Sequence, residues 1–305
     1  METGSGPIPS PWGHSPFQPR DSRPHLTAMP KLLLALTALA CLPCAAQELR
    51  VEEIRFTSHD TTLAGSLVLP PGDVRAAVVY VHGSGPQERN LHLARQFAAA
   101  GIAALVYDKR GAGKSGGEYE GNQSVSQKNL ELLADDASAA LRRLAAHPAA
   151  RGKPLGFTGL SQAGWIVPLA AKRNELTKFV VLWSGPVCKV SEEDIYSKHT
   201  GDKDAGVAPP YAEALKARQV KYVWPDFLGR DTDSAEDIAS LAIPGLWIFS
   251  DDDSSIPVDL SLDKLRALRE KGRPFDYALF SGLGHDNVDA TFSFAASWIA
   301  RAVKP

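Results

Sequence analysis

The order of apolar and polar residues divides the chain into a first segment without any period and a longer region of regular alternation that begins near residue 47. In that region, short apolar runs of the kind that form strands alternate with segments in which apolar residues recur at helical spacing. The expected strands cover residues 49–58, 63–70, 76–81, 102–107, 155–160, 179–183, 245–250 and 275–280. The expected helices cover residues 91–100, 126–146, 163–173, 258–271 and 289–303.

The composition of these strands predicts how they are arranged. Residues 76–81 and 102–107 are nearly all apolar, which is typical of strands buried on both faces of a parallel sheet. The two earliest strands alternate instead and are expected to form an antiparallel pair at the sheet edge. Strands that alternate with helices form a parallel sheet covered on both faces. The expected fold class is therefore α/β, with a mostly parallel central sheet between helices.

Residues 187–240 interrupt this alternation. They are polar, rich in Asp, Lys and Ser, and contain helical pieces over residues 211–220 and 234–241. An insertion that follows a strand of such a sheet lies where a lid or cap covers the strand ends. We therefore expect a core made of residues 47–186 and 241–305, and a helical cap made of residues 187–240.

The first segment predicts export rather than structure. Residues 1–30 hold seven of the 22 prolines and no hydrophobic period, a composition that cannot bury enough apolar surface to fold. Met29 is followed by a lysine, an apolar run over residues 32–42 and small residues up to Ala46, the pattern of a secretory signal peptide spanning residues 29–46. We expect cleavage near Ala46 and a periplasmic or secreted bacterial protein. If translation starts at Met29, residues 1–28 are an over-extension of the predicted reading frame. The alternatives to a signal peptide are a buried helix and a lipoprotein anchor.

Bulk composition excludes several classes of partner. The 305 residues are 44% apolar and carry a formal net charge of −2, whereas proteins that bind nucleic acid or anionic membranes carry basic patches. The chain has no run of the roughly 18 apolar residues needed to span a bilayer, so no stable membrane insertion is expected of the mature form. Cys188 is the one cysteine beyond the first segment and is interpreted as a small apolar filler. The oligomeric state is left open.

The first candidate for chemistry is Ser161, in the segment Gly159-Leu-Ser-Gln-Ala-Gly164. It follows an expected strand and leads directly into an expected helix, the setting in which a serine hydroxyl is presented on a sharp turn as a nucleophile. Such a turn crowds the backbone, and Gly159 and Ala163 supply small residues two positions before and after the serine. The turn also makes the Gln162 N–H a candidate donor to a substrate oxyanion.

A second loop, His82-Gly-Ser-Gly85, follows the most apolar strand. Its glycines allow the chain to fold back, so that the N–H of Ser84, beside Gly83, becomes the second oxyanion donor. A plain glycine-rich turn is the alternative interpretation of this loop. His82 itself is expected to hold the loop by a hydrogen bond rather than to act as a base.

The general base is expected at His285, in a glycine-rich loop after the last strand. With an ordinary pKa near 6.5, an imidazole takes a serine proton and returns it to the leaving group. The acid that orients the ring is expected after the preceding strand, where Asp251, Asp252 and Asp253 are consecutive. A solvated turn and a calcium loop are alternatives there, and the residues alone leave both Asp252 and Asp253 open.

With these residues in place, the chain resembles the α/β-hydrolase superfamily over nearly all of residues 50–303, in the triad order serine, aspartate, histidine. It looks most like bacterial esterases and serine aminopeptidase-like hydrolases that carry His-Gly-Ser-Gly-Pro and Tyr-Asp-Lys-Arg-Gly-x-Gly-Lys-Ser, here residues 82–86 and 107–115. The resemblance implies an α/β-hydrolase fold and favours Asp253, which lies four residues before Pro257, as the triad acid. Residues 111–115 also resemble the end of a phosphate loop, but Asp108 replaces its first glycine.

The expected function is hydrolysis of a carboxylic ester of a small molecule through an acyl-enzyme on Ser161, with no cofactor and no metal. Aminopeptidase, amidase and thioesterase activities use the same triad and stay open. A non-catalytic relative that only binds a ligand is the alternative of another class. Large side chains in the insertion or just before it are candidates for the apolar lining of the substrate pocket: Trp183, Trp224, Tyr211 and Phe227.

Overall fold

A mixed sheet of eight strands forms the centre of the protein. This computed structural model describes residues 48–121, 124–203, 206–218 and 220–304. The expectations for residues 1–46, including the signal peptide and its cleavage, lie outside the described residues. The strands are β1 (Arg50–Ser58), β2 (Thr61–Leu69), β3 (Ala76–Val81), β4 (Ile102–Tyr107), β5 (Leu155–Leu160), β6 (Thr177–Trp183), β7 (Gly245–Ser250) and β8 (Phe275–Phe280).

The strand order is β1-β2-β4-β3-β5-β6-β7-β8. The β1–β2 pair is antiparallel and lies at one edge, as the sequence predicts, and β2 also pairs antiparallel with β4. Every pairing from β4 through β3, β5, β6 and β7 to β8 is parallel. The carboxyl ends of these six strands therefore share one edge of the sheet, and the loops that follow them can meet there.

Helices cover both faces of the sheet. The long helices are α1 (Leu91–Ala99), α2 (Gln127–Ala145), α3 (Ala163–Lys172), α7 (Val258–Glu270) and α8 (Val288–Ala302). Side chains of α2, α3 and α7 pack in one buried cluster, and those of α1 and α8 in another. Alternate residues of one strand enter opposite clusters, Val79 the first and Val78 the second, because successive strand side chains point to opposite faces.

The insertion between β6 and β7 carries three helices among its described residues, α4 (Val190–Thr200), α5 (Tyr211–Ala217) and α6 (Ser234–Ala239), and a single 3₁₀ turn at Asp226–Leu228. Only α5 and α6 were expected. Helix α4 has its Lys189 N–H bonded to Glu192 Oε2 at 2.8 Å and ends at Gly201, which has φ 67°. Its apolar residues do not form a stripe, so their spacing gives no helical signal. The closing of this insertion over the site as a cap stays a prediction.

Throughout the described part of the chain, none of the helices has both the length and the apolar character needed to cross a membrane.

Candidate active site

The turn between β5 and α3 holds Ser161 in an unusual backbone conformation. Its φ is 57°, in the left-handed region that costs a residue with a side chain about 1–2 kcal/mol. The Ser161 N–H donates to the Trp183 carbonyl at 3.0 Å, and its carbonyl accepts the Gly164 N–H at 2.8 Å. The turn is therefore fixed on one side by the end of β6 and on the other by the first turn of α3.

Close packing explains the small residues around this serine. A Cβ at position 159 would lie 2.4 Å from the Ala163 Cβ and 2.8 Å from the Val81 carbonyl oxygen, and a Cβ at position 164 would lie 2.5 Å from Pro186. Glycine is therefore required at 159, whereas position 163 accommodates the alanine methyl group directly against it. The close approach to Pro186 is made by Gly164, one position after the motif's usual final glycine, so an alanine fits at position 163.

The aspartate after β7 that contacts the histidine is Asp253. Its two carboxylate oxygens lie 2.9 and 3.0 Å from His285 Nδ1, and the Asp253 side chain is fully buried. The N–H groups of Ser255 and Ile256 also donate to Asp253 Oδ1. Because a carboxylate only accepts, Nδ1 carries the hydrogen, and Nε2 of the neutral ring is left with a lone pair that can take a proton.

The two preceding aspartates hold the backbone of the histidine loop. Asp251 accepts hydrogen bonds from the Ser281 hydroxyl at 2.8 Å and the Gly282 N–H at 3.1 Å. Asp252 accepts one from the Gly284 N–H at 2.8 Å. Among the described residues, no group of three or more His, Cys, Asp or Glu side chains is arranged to hold a metal ion.

The end of β6 joins the serine turn to the histidine loop. Trp183 provides the carbonyl that accepts the Ser161 N–H. The next residue, Ser184, is fully buried, and its hydroxyl donates to the His285 carbonyl at 2.8 Å and accepts from the Asn287 side chain at 3.1 Å. Two consecutive residues thus bring Ser161 and the His285–Asp253 pair to the same place at the edge of the sheet.

The loop after β3 lies against the serine turn. A Cβ at Gly83 would be 3.3 Å from both the Ser161 Cβ and the Leu160 carbonyl oxygen. The Ser84 carbonyl accepts the side-chain N–H of Gln87 at 2.6 Å, and Gln162 is fully buried at the start of α3. The loop that carries Ser84 and the turn that carries Gln162 are therefore neighbours; oxyanion binding by their N–H groups stays a prediction.

His82 contributes to this loop without titrating near neutral pH. It is buried, and its Nε2 contacts the Tyr107 carbonyl. Burial lowers the pKa of His82 to about 4, so the ring is neutral at pH 7 and Nε2–H donates to the carbonyl. The ring therefore ties the end of β3 to the end of β4, as its sequence context indicates.

The expected apolar lining needs correction. Trp183 is fully buried, donates from Nε1 to Thr291 Oγ1 at 2.9 Å and packs edge-on against Phe97. Its position in β6 directs it into the cluster formed by α1 and α8, so it does not line an accessible pocket, and the prediction for Trp183 was wrong. Trp224 is half-buried in the insertion and donates to the Gly229 carbonyl at 2.7 Å. A substrate contact there stays a prediction.

Two ionisable residues near the site were given no role from the sequence. Lys109, at the end of β4, is buried against the loop after β3. Glu193, on α4, is subject to the charges of His285 and Asp253. Burial, followed by the nearby carboxylate of Asp194, raises the pKa of Glu193 to about 8. The available signal for Lys109 was its place in the run of three charged residues that follows the all-apolar strand β4. Glu193 had no such signal, because α4 itself was not predicted.

The strand order, the parallel pairings and the antiparallel β2 are those of the α/β-hydrolase fold. Residues 72–240 match the model of the hydrolase family described as "Serine aminopeptidase, S33", and the chain belongs to this family.

Similar proteins include both esterases and peptidases. The acylaminoacyl peptidase of Pyrococcus horikoshii is 19% identical with a TM-score of 0.64, over 84% of this chain and 42% of that one. An esterase of Pyrococcus furiosus is 15% identical with a TM-score of 0.61, over 84% of this chain and 92% of that one. A polyketide transferase, claH of Penicillium crustosum, is 34% identical over 104 residues, which are 34% of this chain. The match spans 32% of that curated relative's length.

Matched substitutions can distinguish the roles of Asp252 and Asp253. Asp253→Asn replaces an acceptor of Nδ1–H by an amide that can donate, which favours the wrong histidine tautomer, and should slow covalent labelling of Ser161 by a fluorophosphonate on the order of 10,000-fold. Asp252→Asn keeps an oxygen for the Gly284 N–H and should slow labelling less than roughly tenfold, since one hydrogen bond contributes about 1 kcal/mol. The reverse ranking would assign the triad acid to Asp252.

Proposed function

We propose that this hydrolase cleaves a carboxylic ester by acyl transfer to water, with Ser161 as nucleophile, His285 as general base and Asp253 as the residue that orients the imidazole. The observation that carries the proposal is the pairing of a left-handed serine turn with a histidine whose Nδ1 faces a buried carboxylate. Together they supply the nucleophile, the general base and the orienting carboxylate that acyl transfer through a serine requires.

The reaction follows from the proton positions. His285 Nε2 takes the Ser161 hydroxyl proton as the oxygen attacks the ester carbonyl, and the N–H groups of Ser84 and Gln162 stabilise the negative oxygen of the tetrahedral intermediate. The imidazolium then gives that proton to the departing alkoxide, which leaves as an alcohol. A water molecule repeats the sequence on the acyl-enzyme, releases the carboxylic acid and restores the serine.

An ester is the less demanding substrate for this machinery, because an alkoxide needs less help from a proton donor on leaving than an amine does. The fold is shared with proteins described as an esterase and a dienelactone hydrolase. Esters of short acyl chains should be tested first, because they fit an acyl pocket of any size.

The proposal predicts covalent labelling and ester turnover that depend on one hydroxyl. The purified protein should react with a fluorophosphonate and hydrolyse p-nitrophenyl esters from acetate to hexanoate, and Ser161→Ala should abolish labelling and lower kcat by at least about 1000-fold. Ser240→Ala, at an exposed serine directly after α6, is the matched control and should behave like the unmodified protein. Labelling that persists in Ser161→Ala would refute the assignment. Absence of both labelling and turnover in the unmodified protein would favour a binding protein instead.

Glu193 favours a second candidate, cleavage of a substrate with a free amino group. Its side chain is half-buried on α4 and lies within range of the charges of His285 and Asp253. The carboxylates of Asp194 and Asp202 disfavour its ionised form further. An ammonium group bound beside these acids would reverse that penalty, because an opposite charge favours ionisation. An aminoacyl group is the simplest acyl donor with this property.

The two candidates differ in how they depend on Glu193. If an amino group is recognised, Glu193→Gln should lower kcat/KM for aminoacyl p-nitroanilides by more than about tenfold, the loss of a charged hydrogen bond. It should change kcat/KM for p-nitrophenyl butyrate by less than threefold. Glu213→Gln, an exposed glutamate on α5, is the control for loss of one charge. Equal effects on both substrates would remove the support for an aminopeptidase.

A further inference from the structure

Lys109 lies at the point where the two expected arms of the oxyanion hole meet. It is 3% exposed at the end of β4. Its ammonium group donates to the Gly83 carbonyl at 2.7 Å, the Gly85 carbonyl at 3.1 Å and the Gln162 side-chain oxygen at 2.9 Å. An ammonium has three hydrogens, and each has an acceptor here.

The contact with Gly83 acts directly on the Ser84 N–H. The Gly83 carbonyl and the Ser84 N–H belong to the same planar trans peptide unit, in which the two groups point in opposite directions. Fixing the carbonyl on the ammonium therefore fixes the direction of the N–H. A cation on the oxygen also polarises the peptide and strengthens the N–H as a donor.

The same ammonium fixes the other arm through the Gln162 side chain. Gln162 Oε1 accepts from Lys109, and its Nε2 donates to the Ser124 carbonyl at 2.9 Å. This buried side chain is thus held at both ends, directly beside the backbone N–H expected to bind the oxyanion. The Lys109 N–H adds a further tie, to the Gln87 carbonyl at 2.9 Å.

The cation is buried without a carboxylate partner. Among the described residues no ion pair to Lys109 occurs, since the neighbouring Asp108 pairs with Arg89 and Arg110 pairs with Asp136. Burial of an unpaired charge is costly, and it lowers the pKa of Lys109 to about 8. An unpaired cation beside an oxyanion hole would stabilise the negative charge that develops on the substrate oxygen in the transition state. A cation that only supports the loop would not need to be unpaired.

We propose that Lys109 is a positioning residue that orients and polarises both arms of the oxyanion hole, so that its charge stabilises the transition state through the Gly83–Ser84 peptide and Gln162. The proposal deepens the proposed function and rests on it. Lys109 touches no substrate: it acts through the two N–H donors.

In the part of the chain that the structure describes, the titratable groups that face Lys109 are His82 and Tyr119, and neither forms an ion pair with its ammonium group. From the end of β3, His82 is neutral near pH 7, its own pKa lowered mainly by burial. From the loop after β4, the Tyr119 ring centre lies 5.7 Å from Nζ. Because the charged form is the active one, kcat should fall as the pH rises through the region above about 8, and a permanently charged side chain should remove that fall.

The test compares Lys109→Met and Lys109→Arg with Lys114→Met, an exposed lysine of the same loop. For p-nitrophenyl butyrate, Lys109→Met should lower kcat roughly 10- to 100-fold, less than full loss of one oxyanion donor, with KM changed less than threefold. Inhibition by phenylboronic acid, which forms a tetrahedral adduct with the serine, should weaken by the same factor. Lys114→Met should match the unmodified protein. In Lys109→Arg the alkaline fall of kcat should move above pH 10.

The outcomes separate this proposal from the function it rests on. If the unmodified protein neither hydrolyses the ester nor reacts with a fluorophosphonate, the proposed function fails and the role of Lys109 fails with it. If the unmodified protein is active and Lys109→Met keeps kcat and boronate affinity within threefold, only the role of Lys109 is overturned. Should Lys109→Met not fold, the pH profiles decide: the same alkaline fall in Lys109→Arg and the unmodified protein overturns the proposal.

Discussion

The end of strand β6 is the constraint on which the rest of the site depends. The Trp183 carbonyl accepts the Ser161 N–H, and the buried Ser184 hydroxyl donates to the His285 carbonyl. Ser184 itself has φ 43° and bonds through its N–H to the Ile248 carbonyl on the next strand. Ser161 and His285, which are 124 positions apart in the sequence, thereby share one pair of adjacent anchors. Because these contacts involve backbone groups, the arrangement is set by strand register rather than by long flexible side chains.

Charges at the end of β4 support the neighbouring loop in a comparable way. Three consecutive charged residues follow the apolar strand, and all three are buried. Asp108 bonds Arg89 and the Lys114 N–H; burial alone would raise its pKa, but these bonds lower it to about 2. Arg110 pairs with the fully buried Asp136 and donates to Thr61. Lys109, between them, has carbonyl and amide oxygens as its partners. The two flanking ion pairs fix the backbone from which the unpaired cation reaches the site.

The fold was predictable because its signals are local. All-apolar strands, alternating edge strands and amphipathic helices gave boundaries within a few residues, and the short loops around Ser161, Ser84 and His285 have sequence patterns of their own. Helix α4 was not predicted, because its stability derives from capping and packing rather than from an apolar stripe. The direction of Trp183 was also mistaken. A strand end at the sheet edge offers two faces, and the packing of α1 and α8 decides which one a side chain enters.

The arrangement of these loops is tested most directly by a structure of the protein after reaction with a fluorophosphonate. The phosphorus should be bonded to Ser161 Oγ, with one phosphonyl oxygen about 2.7–3.1 Å from the N–H groups of both Ser84 and Gln162. His285 Nε2 should lie within hydrogen-bond distance of Ser161 Oγ or the leaving-group oxygen. An adduct whose phosphonyl oxygen faces solvent, or a His285 ring that remains out of reach of Ser161, would show that these loops do not form one catalytic unit.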